Sequence, residues 1–362
     1  MTIYKTLRNF AEKYERVLLP GTLILGLIVD VFTFRSISIK SAFILLALHA
    51  ISVGFMIAFI NIFDLKPREN RKGILRYLRI AGPFLIQFDF GALLSATLIF
   101  YWFSGSIAVS WPFIIIVAVL MASNDVLRHH FTKPAVQLSV YFFVLFSLFS
   151  ITLPFIFNSI SVWLFILSSV LSSLFIAIYA QVLAKYVPEV KSRLPVITSV
   201  IMTIILVLNT FYFLNFIPPV PLSLREVGVY HNVERTGGDY KVLTEKESFI
   251  NKILPGRVIL IMPGERVYFY TSIFAPADLN TEITHNWQFY NTETKKWEDR
   301  NQLSFTVTGG RQEGYRGFSY KTNTEAGAWR VSVETKRGQV LGQINFKIGY
   351  VNDLPELITE FK

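Results

Sequence analysis

The sequence predicts an α-helical transmembrane bundle of seven helices followed by an all-β, immunoglobulin-like sandwich domain. Two observations support this fold class. Residues 1–217 contain seven long apolar stretches separated by polar connections, whereas residues 218–362 contain none. In the second region apolar and polar residues alternate with a period of two, which is typical of half-buried strands. The first region is therefore expected to fold in lipid and the second in water.

The apolar stretches have the lengths expected of membrane-spanning helices. A helix that rises 1.5 Å per residue needs about 17 to 25 residues to cross the hydrocarbon core. The fourth stretch is short and ends at Asn124 and Asp125, so a re-entrant segment is an alternative to a full crossing. The seven predicted crossings are Leu18 to Phe34, Ser41 to Phe63, Pro83 to Phe103, Pro112 to Leu127, Ala135 to Phe157, Val162 to Ala184 and Val196 to Ile217.

Residues 1–17 precede the first crossing and have a pattern of their own. Apolar residues recur there at helical spacing, with Lys5, Arg8, Lys13 and Arg16 between them. This pattern predicts an amphipathic cytoplasmic N-terminal helix on the inner surface of the membrane. A simple extension of the first crossing explains the same periodicity equally well. A cleaved signal peptide is disfavoured, because no pair of small residues follows the first apolar run.

The distribution of basic residues predicts the orientation. Of the 17 Lys and Arg residues within 1–217, 15 lie in the N-terminal flank and in alternate connections, and only Arg35 and Lys40 lie in the others. The connections Ser104 to Trp111 and Asn158 to Ser161 carry none. Basic connections remain preferentially in the cytoplasm. With seven crossings, the N-terminus is therefore cytoplasmic and the C-terminal domain lies on the outer side.

Charge and composition disfavour several functional classes. The chain carries a formal charge of +10, of which +9 belongs to residues 1–217, so the C-terminal domain is close to neutral. A nearly neutral domain is not expected to bind nucleic acid. The chain has no cysteine, which excludes disulfides, thiolate metal sites and a thiol nucleophile. The five histidines are scattered without metal-binding spacing, so we predict no metal, no other cofactor and no catalytic residue.

Three prolines, Pro218, Pro219 and Pro221, end the last crossing, because proline cannot continue a helix. The predicted segments are the N-terminal helix 1–17, the transmembrane domain 18–217, a proline-led connector and first strand region 218–255, a β-sandwich periplasmic domain 256–350 and a polar tail 351–362. The predicted strands are Val258 to Met262, Val267 to Ile273, Ile283 to Phe289, Leu303 to Val307, Tyr315 to Lys321, Trp329 to Val333 and Val340 to Ile348.

Four motifs in this region carry a resemblance to a known family. They are Thr284-His285-Asn286-Trp287, Tyr315-Arg316-Gly317-Phe318-Ser319-Tyr320-Lys321, Gly327-Ala328-Trp329-Arg330-Val331-Ser332-Val333 and Gly338-Gln339-Val340-Leu341. The run from Tyr268 to Ile348 resembles bacterial domain of unknown function 2914. The N-terminal half looks like the membrane region that accompanies this domain. Asn286 and Phe318 depart from the residues common in the family. The resemblance implies a protein of the bacterial envelope, and no catalytic residue follows from it, because the family has no assigned activity.

Ionisable residues within apolar stretches are costly in lipid and are therefore candidates for function. Asp30 and His49 are expected to lie in the same leaflet, where they are able to pair. Asp89 and Asp125 are expected nearer the inner side. Such residues form either a proton or ion path or interhelical hydrogen bonds.

The outer domain offers a second set of candidates. Six aromatic residues are candidates to line a sugar- or peptide-binding groove: Trp287, Trp297, Trp329, Tyr290, Tyr315 and Tyr320. Trp287 and Trp329 lie on period-two faces that are expected to point into the core, whereas Trp297 lies in a polar stretch and is the better exposed candidate. His285 interrupts an apolar strand face, so a buried hydrogen-bonding role is favoured over catalysis. Its expected partners are Arg316 and Ser319.

Together these patterns favour a non-catalytic, multi-pass protein of the bacterial inner membrane, embedded in the lipid bilayer. Its periplasmic sandwich is expected to bind an envelope glycan or a partner protein. The alternative is an ion-coupled permease with an accessory periplasmic domain.

Overall fold

The computed structural model of the chain describes residues 39–65, 73–126, 133–246, 257–275, 279–309 and 314–362, together with three isolated positions nearer the N-terminus. The chain divides into two compact units. The first is helical and extends to Leu214. The second contains every residue from Asn215 onward together with residues 102–110 and 158–160.

The described part of the first unit contains six helices. Five of them are long and apolar enough to cross a membrane, whereas the apolar part of α3 spans only Val109–Met121. The predicted crossing from Leu18 to Phe34 and the amphipathic helix 1–17 lie outside the described residues, apart from isolated helical positions. The helices are α1 Ile39–Phe63, α2 Leu75–Ser104, α3 Ile107–Val126, α4 Pro134–Ile156, α5 Val162–Tyr186 and α6 Pro188–Phe213.

Two helices begin about two turns earlier than predicted. We expected crossings from Pro83 and Val196, but α2 begins at Leu75 and α6 at Pro188. Each added segment carries basic residues, which hydropathy alone does not count as part of a crossing. In α2 this segment is tied down by Arg79, whose guanidinium donates to both carboxylate oxygens of Asp64, at 2.8 and 2.6 Å.

A few polar contacts in the helical unit join different helices. Tyr141 Oη of α4 donates to the carbonyl of Ala50 in α1, at 3.1 Å. Asn61 Nδ2 of α1 donates to Gln137 Oε1 of α4, at 3.0 Å. Many large apolar side chains, such as that of Leu206, point away from the unit. Apolar surfaces joined by a few interhelical hydrogen bonds are typical of helices surrounded by lipid.

The second unit contains eleven strands in its described residues. They form a three-stranded sheet in the order β1-β5-β8, a five-stranded sheet in the order β4-β10-β9-β6-β7, and a small sheet in the order β11-β3-β2. All pairs are antiparallel except β4 with β10. The strands are β1 Ser223–Tyr230, β2 Asn232–Thr236, β3 Asp239–Glu245, β4 Arg257–Ile261, β5 Val267–Phe274, β6 Asn280–Asn291, β7 Lys296–Thr308, β8 Tyr315–Lys321, β9 Gly327–Thr335, β10 Val340–Tyr350 and β11 Leu357–Phe361.

The three-stranded and five-stranded sheets share one apolar core. Phe269 and Ile273 of β5 contribute from the first sheet, and Trp287 and Trp329 contribute from the second. The two indole rings meet edge to face, with centroids 6.5 Å apart. Aromatic pairs in this geometry stabilise a core beyond the area that they bury. The predicted burial of both tryptophans on period-two strand faces agrees with their positions.

The seven strands predicted with bounds appear as β4 to β10. The predicted connector and first strand region, 218–255, contains three strands in its described residues, β1, β2 and β3. The segment 351–362, predicted as a polar tail, contains β11, which pairs with β3. The strands β2 and β11 have five residues each and bury few of their side chains, so alternation in their sequences is weak.

The second unit also includes two connections between helices. In residues 102–110, the backbone N–H of Ser106 donates to the carbonyl of Val340, at 3.3 Å. In residues 158–160, Ile160 packs against the core of the two larger sheets. Both connections are among those that carry no Lys or Arg.

Candidate functional site

His285 lies at the centre of a chain of buried hydrogen bonds between the two larger sheets. Its Nδ1 is 2.9 Å from Ser319 Oγ, and its Nε2 is 3.1 Å from Thr271 Oγ1. Ser319 Oγ accepts from Trp287 Nε1, at 3.0 Å. Thr271 Oγ1 donates to the carbonyl of Gly317, at 3.4 Å. One arrangement of protons satisfies all four contacts: the Ser319 hydroxyl donates to Nδ1, and Nε2–H donates to Thr271.

This environment makes His285 a structural residue. Its side chain is fully buried, and burial lowers its pKa to about 3 from the ordinary value of 6.5. The imidazole is therefore neutral near pH 7, with both nitrogens occupied by hydroxyl groups. The predicted contact with Ser319 is present, and the imidazole has no nitrogen left for Arg316. The arrangement fits the buried hydrogen-bonding role expected of His285 rather than catalysis.

Arg316 of β8 joins β8 to the small sheet. Its Nη1 lies 3.0 Å from Asp239 Oδ1 and donates to the carbonyl of Lys362, at 3.1 Å. Tyr240 Oη donates in turn to the carbonyl of Arg316, at 3.2 Å. These contacts hold the charge of Arg316 against the C-terminal strand, so its role is chiefly structural.

A cleft of about 600 Å³ opens where the edge strands β7 and β8 run past each other. It is lined by four residues of β7 between Asn301 and Phe305, by all residues from Tyr315 to Thr322, and by Tyr240. Phe318 and Tyr320 are exposed here, at 37% and 45%. The volume is within the range of about 300 to 1,000 Å³ that is typical of ligand sites. Two of the aromatic residues predicted from the sequence as groove candidates, Tyr315 and Tyr320, line this cleft, whereas its position between β7 and β8 was not predicted.

Trp297 and Tyr290 lie on a different surface, the outward face of the five-stranded sheet. They are cross-strand partners, with ring centroids 5.2 Å apart. The guanidinium carbon of Arg330 lies 4.5 Å from the Trp297 ring centroid. Arg330 also donates to Gln288 Oε1, at 2.7 Å. The structure therefore brings the two predicted aromatic residues together, but Trp297 is half-buried under Arg330 rather than openly exposed.

The same face continues into a polar ladder around Asn286, which is 5% exposed. Its Nδ2 donates to Asp299 Oδ1 at 3.2 Å and to Glu334 Oε1 at 3.4 Å. Burial raises the pKa of the Glu334 carboxyl above its usual range. Gln288 Nε2 donates to the same oxygen of Asp299, at 2.6 Å. The Nδ2 of Asn286 is thus paired within the ladder, but its Oδ1 has no hydrogen-bond partner among the described residues.

In the helical unit, His49 is paired with Asp89 across α1 and α2. His49 Nδ1 lies 2.7 Å from Asp89 Oδ1. Asp89 is 4% exposed, and its other oxygen has no hydrogen-bond partner among the described residues. We expected Asp89 near the inner side, but α2 begins at Leu75, which places Asp89 near the middle of the helix. Asp30 lies outside the described residues, as does the side chain of Asp125.

Within the part of the chain that the structure describes, no group of three or more His, Asp or Glu side chains is arranged to hold a metal ion.

Residues 280–348 match the model of a family described as a protein of unknown function, DUF2914. This segment runs from β6 to β10 and includes Trp287, His285 and both edges of the cleft. It covers about a fifth of the chain. No curated protein matches the sequence.

Similarities to solved structures are weak. A β-glucosidase from Listeria innocua in complex with gluconolactone is 15% identical over 34% of this chain and 18% of its own, with a TM-score of 0.20. The chain thus spans less than a fifth of that enzyme. An immunoglobulin-like protein from Pseudomonas aeruginosa is 12% identical over 34% of this chain and 97% of its own, with a TM-score of 0.20. An alkylpurine DNA glycosylase from Pseudomonas fluorescens is 10% identical over 83% of this chain and 98% of its own, with a TM-score of 0.24. None of these similarities bears on function.

The low pKa of His285 makes the stability of the β domain depend on pH. Between about pH 3 and 6.5 the unfolded chain binds a proton at this histidine that the folded chain does not bind. The contribution of the neutral imidazole is therefore complete above pH 6.5. It is lost as the pH falls, by up to about 1.4 kcal/mol per pH unit. We expect urea unfolding of the full chain in detergent, followed by tryptophan fluorescence, to show this slope between pH 6.5 and 5.

Two variants distinguish the effect of the histidine itself from that of its hydrogen-bond partner. His285→Gln should flatten the slope and lower stability at pH 7.5 by about 1 to 3 kcal/mol, because the hydroxyls of Thr271 and Ser319 lose an ideal partner. Ser319→Ala should lower stability but keep the slope, since the imidazole stays buried. A slope that survives in His285→Gln would contradict this assignment.

Proposed function

We propose that this chain is a multi-pass protein of a bacterial inner membrane whose C-terminal β domain binds an envelope component on the periplasmic side. The observation that carries the proposal is the cleft between β7 and β8. It combines exposed aromatic rings with hydroxyl and amide groups. It shares Ser319 and Gly317 with the buried His285 network, whereas the exposed rings of Phe318 and Tyr320 lie outside that network.

The proposed architecture has seven crossings and an immunoglobulin-like sandwich. Five apolar helices and the shorter α3 support six of the crossings, and the apolar stretch from Leu18 to Phe34 supplies the seventh. A core shared by the β1-β5-β8 sheet and the five-stranded sheet supports the sandwich.

The proposed orientation rests on two independent observations. Basic residues concentrate in the N-terminal flank and in alternate connections, which favours a cytoplasmic location for these segments. Two connections that lack Lys and Arg, residues 102–110 and 158–160, belong to the same compact unit as the β domain. Because Ser106 bonds to the Val340 carbonyl and Ile160 packs against the core of the β domain, these connections are assigned to the same side of the membrane as that domain. The β domain is therefore assigned to the side opposite the basic connections.

A hydrogen-exchange experiment tests the binding function. The full chain in nanodiscs is incubated with soluble glycan and protein fractions released from a bacterial envelope. We expect slower amide exchange over residues 301–305 and 315–322, because a ligand in the cleft covers both edge strands. Phe318→Ala combined with Tyr320→Ala should abolish this protection, since both rings line the cleft and are exposed.

Trp297→Ala is the matched control, because it removes an aromatic side chain from the other face of the domain. Protection that is lost only in Trp297→Ala would move the site to the outward face of the five-stranded sheet. The absence of protection anywhere in the β domain, with every fraction, would contradict the binding function.

A second candidate function, ion-coupled transport, is favoured by the His49–Asp89 pair. A carboxylate oxygen buried without a hydrogen-bond partner among the described residues is costly within a membrane and is therefore a candidate for proton or ion binding. The structural alternative is an interhelical contact that fixes the packing of α1 against α2.

Substitution of Asp89 distinguishes the two functions. Asp89→Asn keeps a hydrogen-bonding group opposite His49 but removes the charge. If the β domain carries the function, a deletion strain that expresses Asp89→Asn at normal abundance should behave like wild type. Thr97→Val is the control, because the Thr97 hydroxyl is buried but bonds within its own helix, to the carbonyl of Leu93. Loss of function in Asp89→Asn alone would favour transport.

A further inference from the structure

The rim of the cleft is positively charged beside Tyr320. The guanidinium carbon of Arg266 lies 5.1 Å from the Tyr320 ring centroid, just outside the cleft lining. Lys321 follows Tyr320 on β8, and its ammonium lies 5.8 Å from the Trp329 ring centroid. Among the described residues, neither Arg266 nor Lys321 forms a salt bridge. Burial and the nearby Arg300 guanidinium lower the pKa of Lys321, whereas the nearby Glu325 carboxylate raises it, and an anion beside the ammonium would likewise favour its charged form.

The cleft itself contains no opposing charge. None of the residues that line it is Asp or Glu. Arg316, the second cationic residue of the lining, is already paired with Asp239. A concave surface lined by charge of one sign attracts ligands of the other sign. The ligand is therefore expected to carry negative charge that reaches the rim formed by Arg266 and Lys321.

The uncharged part of the lining favours a sugar chain over a peptide strand. Asn301 and Thr322 offer an amide and a hydroxyl group next to the exposed rings of Phe318 and Tyr320, whereas the Ser304 hydroxyl is hydrogen-bonded to Thr284 Oγ1, at 2.8 Å. Such a mixture suits the hydroxyl groups and apolar faces of sugars. The edge of β7 also has a bulge where it reaches the cleft, between the pairs Trp287 with Asn301 and Gln288 with Asp299. Bulges protect an edge strand from the addition of another strand.

We propose that the cleft binds an acidic glycan, that is, a sugar chain bearing carboxylate groups, with Arg266 and Lys321 contacting the carboxylates and Phe318 and Tyr320 contacting the rings. This inference rests on the proposed binding function and specifies its ligand class.

Calorimetric titration of the full chain tests this inference. The protein is reconstituted in nanodiscs of zwitterionic phosphatidylcholine and titrated with a hexamer of galacturonate. We expect binding that weakens as salt is raised, because screening reduces attraction between exposed charges. Arg266→Gln combined with Lys321→Gln should weaken binding about tenfold or more. Lys336→Gln combined with Lys347→Gln removes the same charge from exposed positions outside the cleft lining and should leave binding unchanged.

The results of this titration test the proposed class of ligand, independently of whether the β domain binds an envelope component at all. A neutral maltohexaose that binds as tightly as the galacturonate hexamer, with no effect of the rim variants, would overturn the acidic class while leaving a glycan-binding cleft. A hexaglutamate peptide that binds equally well through the same rim residues would overturn the glycan in favour of an acidic peptide. No binding of the galacturonate hexamer up to about 1 mM would overturn the inference, and the exchange experiment with envelope fractions would still decide the binding function.

Discussion

Backbone hydrogen bonding in hydrocarbon is the constraint on which the rest of this structure depends. A chain that crosses a bilayer must satisfy its backbone groups within itself, which helices do locally. The described helices follow this constraint, since five of them are long and apolar and a few polar contacts join them. Two ionisable pairs, His49–Asp89 and Arg79–Asp64, are described there, so most of the polar side chains described lie in the strands that follow.

The strand domain solves the opposite problem, because it must build a core in water without any disulfide. Two sheets bury Trp287 and Trp329 against each other, and the His285 chain satisfies the polar groups enclosed between them. Arg316 then fastens the small sheet to β8. Because these groups are committed to folding, what remains for binding is the cleft between β7 and β8, where two sheet edges leave aromatic and polar side chains uncovered.

Strong periodicity in the sequence was sufficient to predict the long helices and β4 to β10, since each buries a continuous stripe or face. It indicated a strand region within 218–255 without resolving β1, β2 and β3, and it missed β11, a strand of five residues that buries few of its side chains. Pairings across elements were harder to predict. His49 meets Asp89 because α2 begins earlier than hydropathy indicates, and Trp297 is covered by Arg330 from a neighbouring strand. The cleft was not predicted, because it arises where two edge strands from different sheets pass each other, which a linear pattern does not encode.

The proposed placement of the β domain and of the basic connections on opposite sides of a membrane is the central claim, and cysteine labelling tests it most directly. The chain has no cysteine, so a single introduced cysteine is the only thiol of the protein that a maleimide can label. Lys336→Cys lies in the turn after β9, with its parent side chain 83% exposed, and Leu65→Cys follows α1 at a position 50% exposed. In spheroplasts, a membrane-impermeant maleimide should label Lys336→Cys at once and Leu65→Cys only after permeabilisation. Labelling of Leu65→Cys alone in intact spheroplasts would contradict the orientation, and equal labelling of both would contradict the lipid boundary between them.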